Sequence, residues 1–526
     1  MQLTISHLGF TYDNATEPLF TDINATFAPG WTAIIGDNGI GKTTLVKLIC
    51  GQLPLQRGTI TPKPSSLIIS ICVQQLDEPP ANLDDFAADW SPEALKIRRL
   101  LGIDDSWLYR FDTLSGGQAK RVQIACALQR DPDVLILDEP TNHVDAHTRA
   151  AIIDAMRAYS GVGIVISHDV TLIDATCTRC LSFERQHVDG HNITVAVPYQ
   201  GNYSEAFAQM TQRNADSSRE LARAKAETNR LRAVQAQRID KVREAARAGN
   251  AHIDAKDHDA RNARKMAKST SLDSGVSSSL AQLNGRLSQA QAAQQGIATA
   301  AKRYEGDFWT RPVNAHLNEV AHLDAGLLRP GSTQVSDDAQ PDDVTSELTI
   351  SGNAWTITGP EDQSITAIRI PTLSVGPTSH IGLTGDNGLG KSTVIAALAE
   401  HINPLARALI IRQDTTQRDA DDALTRLHTL PSEDRATVLS AYAQLNADPD
   451  KLLAGQAPSP GELRKLLLAM ATVDDIDFII MDEPTNHLDI SSKQALARAL
   501  ANYGGALIVV SHDDDFIAAI ETPAQA

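Results

Sequence analysis

The stretch Gly36-Asp37-Asn38-Gly39-Ile40-Gly41-Lys42-Thr43-Thr44 follows the apolar run TAII and opens the helix-patterned run TLVKLIC. Glycines at this spacing let a backbone wrap closely around phosphates, with several N–H groups pointing inward at the start of a helix. Lys42 supplies a point charge for the terminal phosphates, and Thr43 a hydroxyl suited to Mg²⁺. The same construction returns as Gly385-Asp386-Asn387-Gly388-Leu389-Gly390-Lys391-Ser392-Thr393, between IGLT and TVIAALA. Two such loops, each between a strand and a helix, predict two phosphate sites in an α/β chain.

Working outward, the rest of each copy repeats too. Lys42 and Lys391 are 349 positions apart, whereas Ser115 and Ser459, Asp138 and Asp482, Asp145 and Asp489, and His168 and His512 are all 344 apart. Agreement across four landmarks indicates duplicated domains. Apolar runs such as VLILDEP and GIVISHD, matched by FIIMDEP and ALIVVSHD, read as buried strands with helix-patterned stretches between them. Each copy is therefore expected to be an α/β domain on a largely parallel sheet.

Two of these strands end in paired carboxylates, Asp138-Glu139 and Asp482-Glu483. Ending a buried strand so is costly unless the carboxylates bind something. The aspartate is suited to Mg²⁺, and the adjacent glutamate to orienting and polarising an attacking water. His168 and His512, each in the sequence SHD after another apolar strand, are placed to meet the γ-phosphate from the opposite side. Cys177, Cys180, His187 and His191 imitate a zinc site, but the gap between Cys180 and His187 is short and the segment reads as a strand.

The chain has 526 residues, enough for two to four domains. Its N-terminus alternates like a strand and lacks the charged and apolar regions of a secretory signal. No apolar run approaches the roughly 18 to 20 residues that span a bilayer, so the sequence predicts a cytoplasmic protein without a membrane segment. Five scattered cysteines fit a reducing compartment. The net charge of −18 is uneven: residues 205–311 hold 19 basic and 12 acidic residues, a balance of +7, and the remainder holds 28 and 53, a balance of −25. An acidic body with a basic middle points to a local polyanion contact.

With these motifs in place, Leu114-Ser115-Gly116-Gly117-Gln118 resembles the signature of ABC proteins. Its counterpart is Ser459-Pro460-Gly461-Glu462-Leu463, where proline and glutamate replace glycine and glutamine. Gln74, or the adjacent Gln75, and Gln413 resemble the Q-loop glutamines that reach the metal and the attacking water. Asn142-His143-Val144-Asp145 and Asn486-His487-Leu488-Asp489 resemble D-loops. Tyr12 lies 24 residues before Gly36, where the family places an adenine-stacking aromatic; the second copy offers only Trp355. Cassettes of this family pair head to tail. The resemblance thus implies one composite ATP site from Lys42, Asp138 and Glu139 with Ser459, Gly461 and Glu462. It implies a second from Lys391, Asp482 and Glu483 with Ser115, Gly116, Gly117 and Gln118. Both would form within one chain, making a monomer sufficient, and the different signatures leave equal hydrolysis at the two sites open.

Tyr199-Gln200-Gly201-Asn202-Tyr203-Ser204 resembles the element that opens the interdomain linker of ABC-F proteins. The resemblance to that family covers almost the whole chain. It implies a first ABC ATP-binding domain over 1–200, a helical hairpin linker with a flexible acidic segment over 201–345, and a second ATP-binding domain over 346–526. It also implies an ATPase that clamps a ribosome near the E site, touching P-site tRNA and ribosomal RNA through residues 205–311. Modulation of translation and protection against stalling or antibiotics are both implied; an ATP-binding subunit for separate membrane chains is the alternative. In the linker, Leu231, Val234, Ile239 and Val242, then Leu280, Leu283, Leu287, Ala290, Gln294, Ile297, Ala301 and Tyr304, give helical spacing. An antiparallel hairpin with a thin seam and a tip near 249–276 follows. Arg230, Arg232, Arg238, Lys241, Arg243, Arg247, Arg261, Arg264, Lys265 and Lys268 cluster on and near that tip as candidate RNA contacts. Residues 331–344 read as a mobile linker.

Overall fold

The computed structural model describes the chain except residues 14–16, 75–77, 143, 189–190, 250–258, 260–271, 301–307, 310–316, 337–343, 361–364, 414–415, 454, 456, 487 and 522–526. In the first copy, five strands lie side by side in the order Cys177–Val188, Gly30–Gly36, Val162–Ile166, Val134–Asp138, Ile69–Cys72, every neighbouring pair parallel. The second copy repeats the arrangement with Ala354–Thr358, His380–Gly385, Ala506–Val510, Phe478–Asp482 and Ala408–Ile411. The one substitution is at the outer place beside the phosphate-loop strand. A strand after the repeat unit fills it in the first copy, and one before the loop fills it in the second.

These strands read as continuous apolar runs because both faces are covered. Ala33, Ile35, Leu135, Leu137 and Val165 pack into one cluster, and Ile34, Val134, Ile136, Ile164 and Ile166 into the cluster on the opposite face. The second copy alternates likewise, with Ile479, Met481, Leu507 and Val509 on one side and Phe478, Ile480, Ile508 and Val510 on the other. In each copy three parallel strands end at the phosphate loop, at the Asp-Glu pair and just before the SHD histidine, so these functional ends emerge along one edge of the sheet.

The glycine opening each phosphate loop is fixed by space as well as by backbone. Gly36 has φ 140°, and a Cβ there would lie 2.6 Å from the Phe183 carbonyl; Gly385 has φ 145°, with 2.6 Å to the Ile357 carbonyl. Gly36→Ala is therefore expected to cost about 2 kcal/mol of unfolding free energy. Urea melts would detect it, and an unchanged midpoint would contradict the crowding described.

Between the copies, the helix Tyr203–Gly249 starts on a reciprocal cap: Glu205 N–H donates to Asn202 Oδ1 at 3.1 Å, and Asn202 N–H to Glu205 Oε2 at 3.2 Å. Its return partner is the helix Leu272–Gln295. Leu231, Leu283 and Leu287 form the seam with Val234 and Ala290, and Gln235 Nε2 donates to Asn284 Oδ1 at 2.7 Å. The return helix ends earlier than the heptad spacing predicts. Gly296 follows it, and Thr299–Ala300 is already a strand paired with Gln186 and His187, so Ile297 is not helical. Ala301 and Tyr304 lie outside the described residues. So does most of the expected tip. Of the linker segment 331–344, Ser336 forms an antiparallel bridge with Leu327, and 337–343 lie outside the described residues. Among the described residues, no helix is long and apolar enough to cross a membrane.

Candidate functional site

Each phosphate loop closes around its own lysine. Lys42 Nζ donates to the carbonyls of Gly36 at 2.6 Å and Asp37 at 3.1 Å, and lies 3.3 Å from His168 Nε2. Lys391 Nζ repeats this with Gly385 at 2.6 Å, Asp386 at 3.1 Å and His512 Nε2 at 2.9 Å. Gly39, Gly41, Gly388 and Gly390 all sit at positive φ, between 73° and 113°. Gly41 and Gly390 cap the helices Lys42–Ile49 and Lys391–Glu400 in the left-handed conformation. Thr44 and Thr393 fall in the first turns of these helices. Burial pulls both lysines below their usual pKa, opposed first by Glu139 and Glu483 respectively.

The paired carboxylates face these lysines. Asp138 is hydrogen-bonded to the Thr43 side chain, and Ser392 Oγ donates to Asp482 Oδ2 at 3.1 Å. Glu139 and Glu483 adopt left-handed backbone, φ 48° and 47°, a cost that non-glycine residues bear mainly at functional turns. His168 Nε2 lies 3.4 Å from Glu139 Oε1, and His512 Nε2 lies 3.3 Å from Glu483 Oε1. Burial raises both glutamates to about 7, against the pull of Lys42 and Lys391. Burial, then the Lys42 charge, drives the His168 pKa well below its usual value, so this imidazole is neutral. His168 Nδ1 and Glu483 Oε1 are buried without a hydrogen bond. A glycine cradle, a buried cation, and a hydroxyl beside a carboxylate suit a magnesium-bound nucleoside triphosphate.

The signature serines cap helices. Ser115 Oγ accepts from Gln118 N–H at 3.3 Å while Gln118 Oε1 accepts from Ser115 N–H at 3.1 Å, at the start of Gly116–Gln129. Around Gly116 there is open space, whereas a Cβ on Gly117 would lie 3.1 Å from Thr148 Oγ1. In the second copy Glu462 takes the glutamine's place, accepting from Ser459 N–H at 2.9 Å, Ser459 Oγ at 2.8 Å and Lys451 Nζ at 3.1 Å. Burial opposes ionisation of Glu462, but these donors hold its pKa below the usual value. Gly461 is buried in the first turn, behind Pro460.

The two copies meet through their D-loops. Asp489 Oδ2 accepts from Asn38 N–H at 3.0 Å, and Ser491 Oγ donates to Asp37 Oδ1 at 2.6 Å. Although burial opposes it, the hydrogen bonds from Ser492 and the charge of Lys465 keep Asp489 well below the usual carboxylate range. Asp145 stands within electrostatic reach of Lys391, the converse relation. Asn387 Oδ1 lies 2.8 Å from His512 Nε2.

Tyr12 hydrogen-bonds Thr44 Oγ1 at 2.8 Å and packs edge-on against Phe10, and its 40% exposure leaves a ring face beside the loop. Trp355 differs: at 2% exposure it belongs to the core and offers no open face to a base. Gln75 lies outside the described residues.

Two basic pairs carry no sequence motif. Lys120 Nζ donates to the carbonyls of Val73 at 2.8 Å and Gln74 at 3.1 Å, while Arg464, at the equivalent place, donates to the Gln413 carbonyl. Each signature helix thus holds the glutamine loop of its own copy. Arg149 and Lys493, also equivalent, pair with Asp169 and Asp513 at 3.1 Å. The only sequence signal was the shared 344-residue offset.

In the linker, Arg230 is exposed and 3.8 Å from Glu227; Arg232 and Arg238 lie on the same helix. Lys241, Arg243 and Arg247 continue that helix, but their side chains, like residues Arg261, Arg264, Lys265 and Lys268, fall outside the described residues.

The ABC transporter family model matches residues 20–142 and 368–486. The chain thus carries two ABC-type ATP-binding domains in tandem. Over most of its length its relatives are ABC-F proteins. It is 24% identical to the ribosome protection protein VmlR of Bacillus subtilis, over 98% of this chain and 85% of that one. To the tylosin resistance ATP-binding protein TlrC of Streptomyces fradiae it is 24% identical, over 97% and 94%. The ATP-binding protein Uup of Caulobacter vibrioides is 26% identical, over 96% and 74%. Among solved structures, the archaeal ribosome recycling factor aABCE1, crystallised with stalk protein aP1, is alike in fold, with TM-score 0.54 at 15% identity over 98% of this chain and 86% of that one.

Proposed function

We propose that the chain hydrolyses ATP at two composite sites and uses ATP-bound closure of its two domains to hold a ribosome, modulating translation or protecting the ribosome from stalling or antibiotics. The observation that carries this reading is the direct bond from the Asn38 amide, in one phosphate loop, to Asp489 of the other copy. Nucleotide binding there orders a seam between domains, so ATP acts as an adhesive. The names of VmlR and TlrC supply the ribosomal and resistance context.

In this mechanism the glycine amides and Lys42 or Lys391 neutralise the β- and γ-phosphates, and Tyr12 stacks on the first adenine. Thr43, Asp138 and Gln74, or Ser392, Asp482 and Gln413, would hold Mg²⁺, which screens the phosphate charge when bound. Ser459, Gly461 and the helix start behind them approach the γ-phosphate over Lys42; Ser115, Gly116 and Gly117 approach it over Lys391. Glu139 or Glu483 accepts a hydrogen bond from the attacking water. Water oxygen bonds to the γ-phosphorus as the bond to the β–γ bridging oxygen breaks, leaving ADP and phosphate. His168, neutral, and His512 line the γ-phosphate side of each lysine. Loss of the γ-phosphate removes the reason for the two copies to stay together.

The test is co-sedimentation of the Glu139→Gln, Glu483→Gln chain with 70S ribosomes. Pelleting with ATP and release with ADP are expected. A variant that binds ATP yet never pellets, while the wild-type chain turns ATP over, would refute the ribosomal part of the proposal and leave the ATPase.

A further inference from the structure

Arg149 has two partners that belong to different nucleotide sites. Its Nε lies 3.1 Å from Asp169 Oδ2, next to His168 in its own copy, an ion pair without hydrogen-bond alignment. A second nitrogen of the same guanidinium donates to the backbone carbonyl of His512, in the other copy, at 3.4 Å. Both ends of the first pair are largely withdrawn from solvent, the Arg149 side chain 20% and the Asp169 side chain 16% exposed. Asp169 is itself fixed, since its other oxygen accepts from Leu172 N–H at 3.1 Å and caps the helix Val170–Thr176. The guanidinium therefore ties the loop carrying one γ-phosphate histidine to the loop carrying the other.

The equivalent Lys493 runs the opposite way. Its ammonium is 3.1 Å from Asp513 Oδ2, beside His512, and Asp513 Oδ1 accepts from Phe516 N–H at 3.1 Å. Across the seam, the same charge favours ionised Glu139 and opposes protonation of His168, after the larger effects of burial and Lys42. A guanidinium spreads its charge over several donors, so Arg149 can pair with Asp169 by charge while another of its nitrogens donates across the seam; an ammonium acts more as a point charge.

We infer that Arg149 is a positioning residue that couples the two ATP sites, transmitting the state of the His168 loop to the His512 loop, with Lys493 as its electrostatic counterpart. This rests on the two-site ATPase reading above. Coupling requires an element that both sites bias, and a bridge between the two histidine loops meets that requirement without touching nucleotide. Its direction follows from the contacts. Disorder at the Lys42 site loosens Asp169, then Arg149, then the His512 carbonyl beside Lys391.

The experiment compares how far Glu139→Gln slows total turnover in three backgrounds: Arg149, Arg149→Ala and Arg149→Lys. With coupled sites the wild-type background should lose about tenfold or more, because the intact Lys391 site is slowed as well. With Arg149→Ala the loss should shrink to the share of turnover carried by the Lys42 site alone, about twofold where the two sites contribute equally. Arg149→Lys, which keeps a charge for Asp169, should give an intermediate loss. Asp169→Asn, which keeps the helix cap, should resemble Arg149→Ala. Fluorescent-ATP binding and thermal melts read folding separately. An equal loss in all backgrounds would overturn the coupling and leave the ATPase standing. A wild-type chain that binds ATP without turnover would overturn both.

Discussion

Replacing Glu139 and Glu483 together with glutamine is expected to slow ATP turnover by about 10²–10³-fold while leaving ATP bound. Glutamine keeps the shape at a left-handed position already strained in both copies, but it cannot take a proton from water. Steady-state phosphate release measures the loss; near-wild-type turnover would remove both glutamates from the reaction. Because burial raises both carboxyls to about 7, wild-type turnover should climb as pH rises through that value. Stability of the nucleotide-free chain should run the other way. A carboxyl whose folded pKa stands above its usual 4.5 contributes stability that is complete below about 4.5 and lost as pH rises through about 7. The double glutamine chain avoids that loss, so at pH 8 it should be more stable than wild type by about 1–3 kcal/mol. Urea melts at pH 6 and 8 should show the gap widening with pH; a constant gap would contradict the burial of these groups.

The second large effect concerns the basic middle. Replacing residues 205–311 with a short flexible linker should abolish ATP-dependent ribosome pelleting while sparing nucleotide binding. The balance of +7 in that segment, against −25 elsewhere, leaves it as the region suited to phosphate backbones. If about six phosphates are neutralised, affinity should fall by roughly 10³-fold between 50 and 200 mM salt. Charge reversal at Arg230 and Arg238 should weaken pelleting and flatten the salt dependence. Pelleting that survives linker replacement at moderate salt would move the contact to the acidic domains.

Much of the fold and the site is legible in the sequence. The phosphate loops, the paired carboxylates and the SHD histidines each carry a local pattern, and duplication doubled its weight. The parallel strands were legible because burial on both faces leaves them almost wholly apolar. What escaped depends on contacts between distant segments. Lys120 and Arg464 look like ordinary helix cations until the glutamine-loop carbonyls are seen beside them. Arg149 acquires its meaning only when the two copies are side by side. Heptad spacing ran past Gly296 because the pattern of apolar residues carries no knowledge of the strand that begins at Thr299. Trp355 drew notice by its distance from the loop, but its ring serves the core.

The cap between Asn202 and Glu205 starts a 47-residue helix, and Ser204, bonded through its N–H and Oγ to Asp174, fastens that start to the first domain. At 1.5 Å per residue that helix is a rod about 70 Å long. Swinging its base by about 10° would carry the far end about 12 Å. On the reading proposed above, a small rearrangement around ATP would be magnified at the far end into a stroke comparable with the width of a nucleic-acid strand.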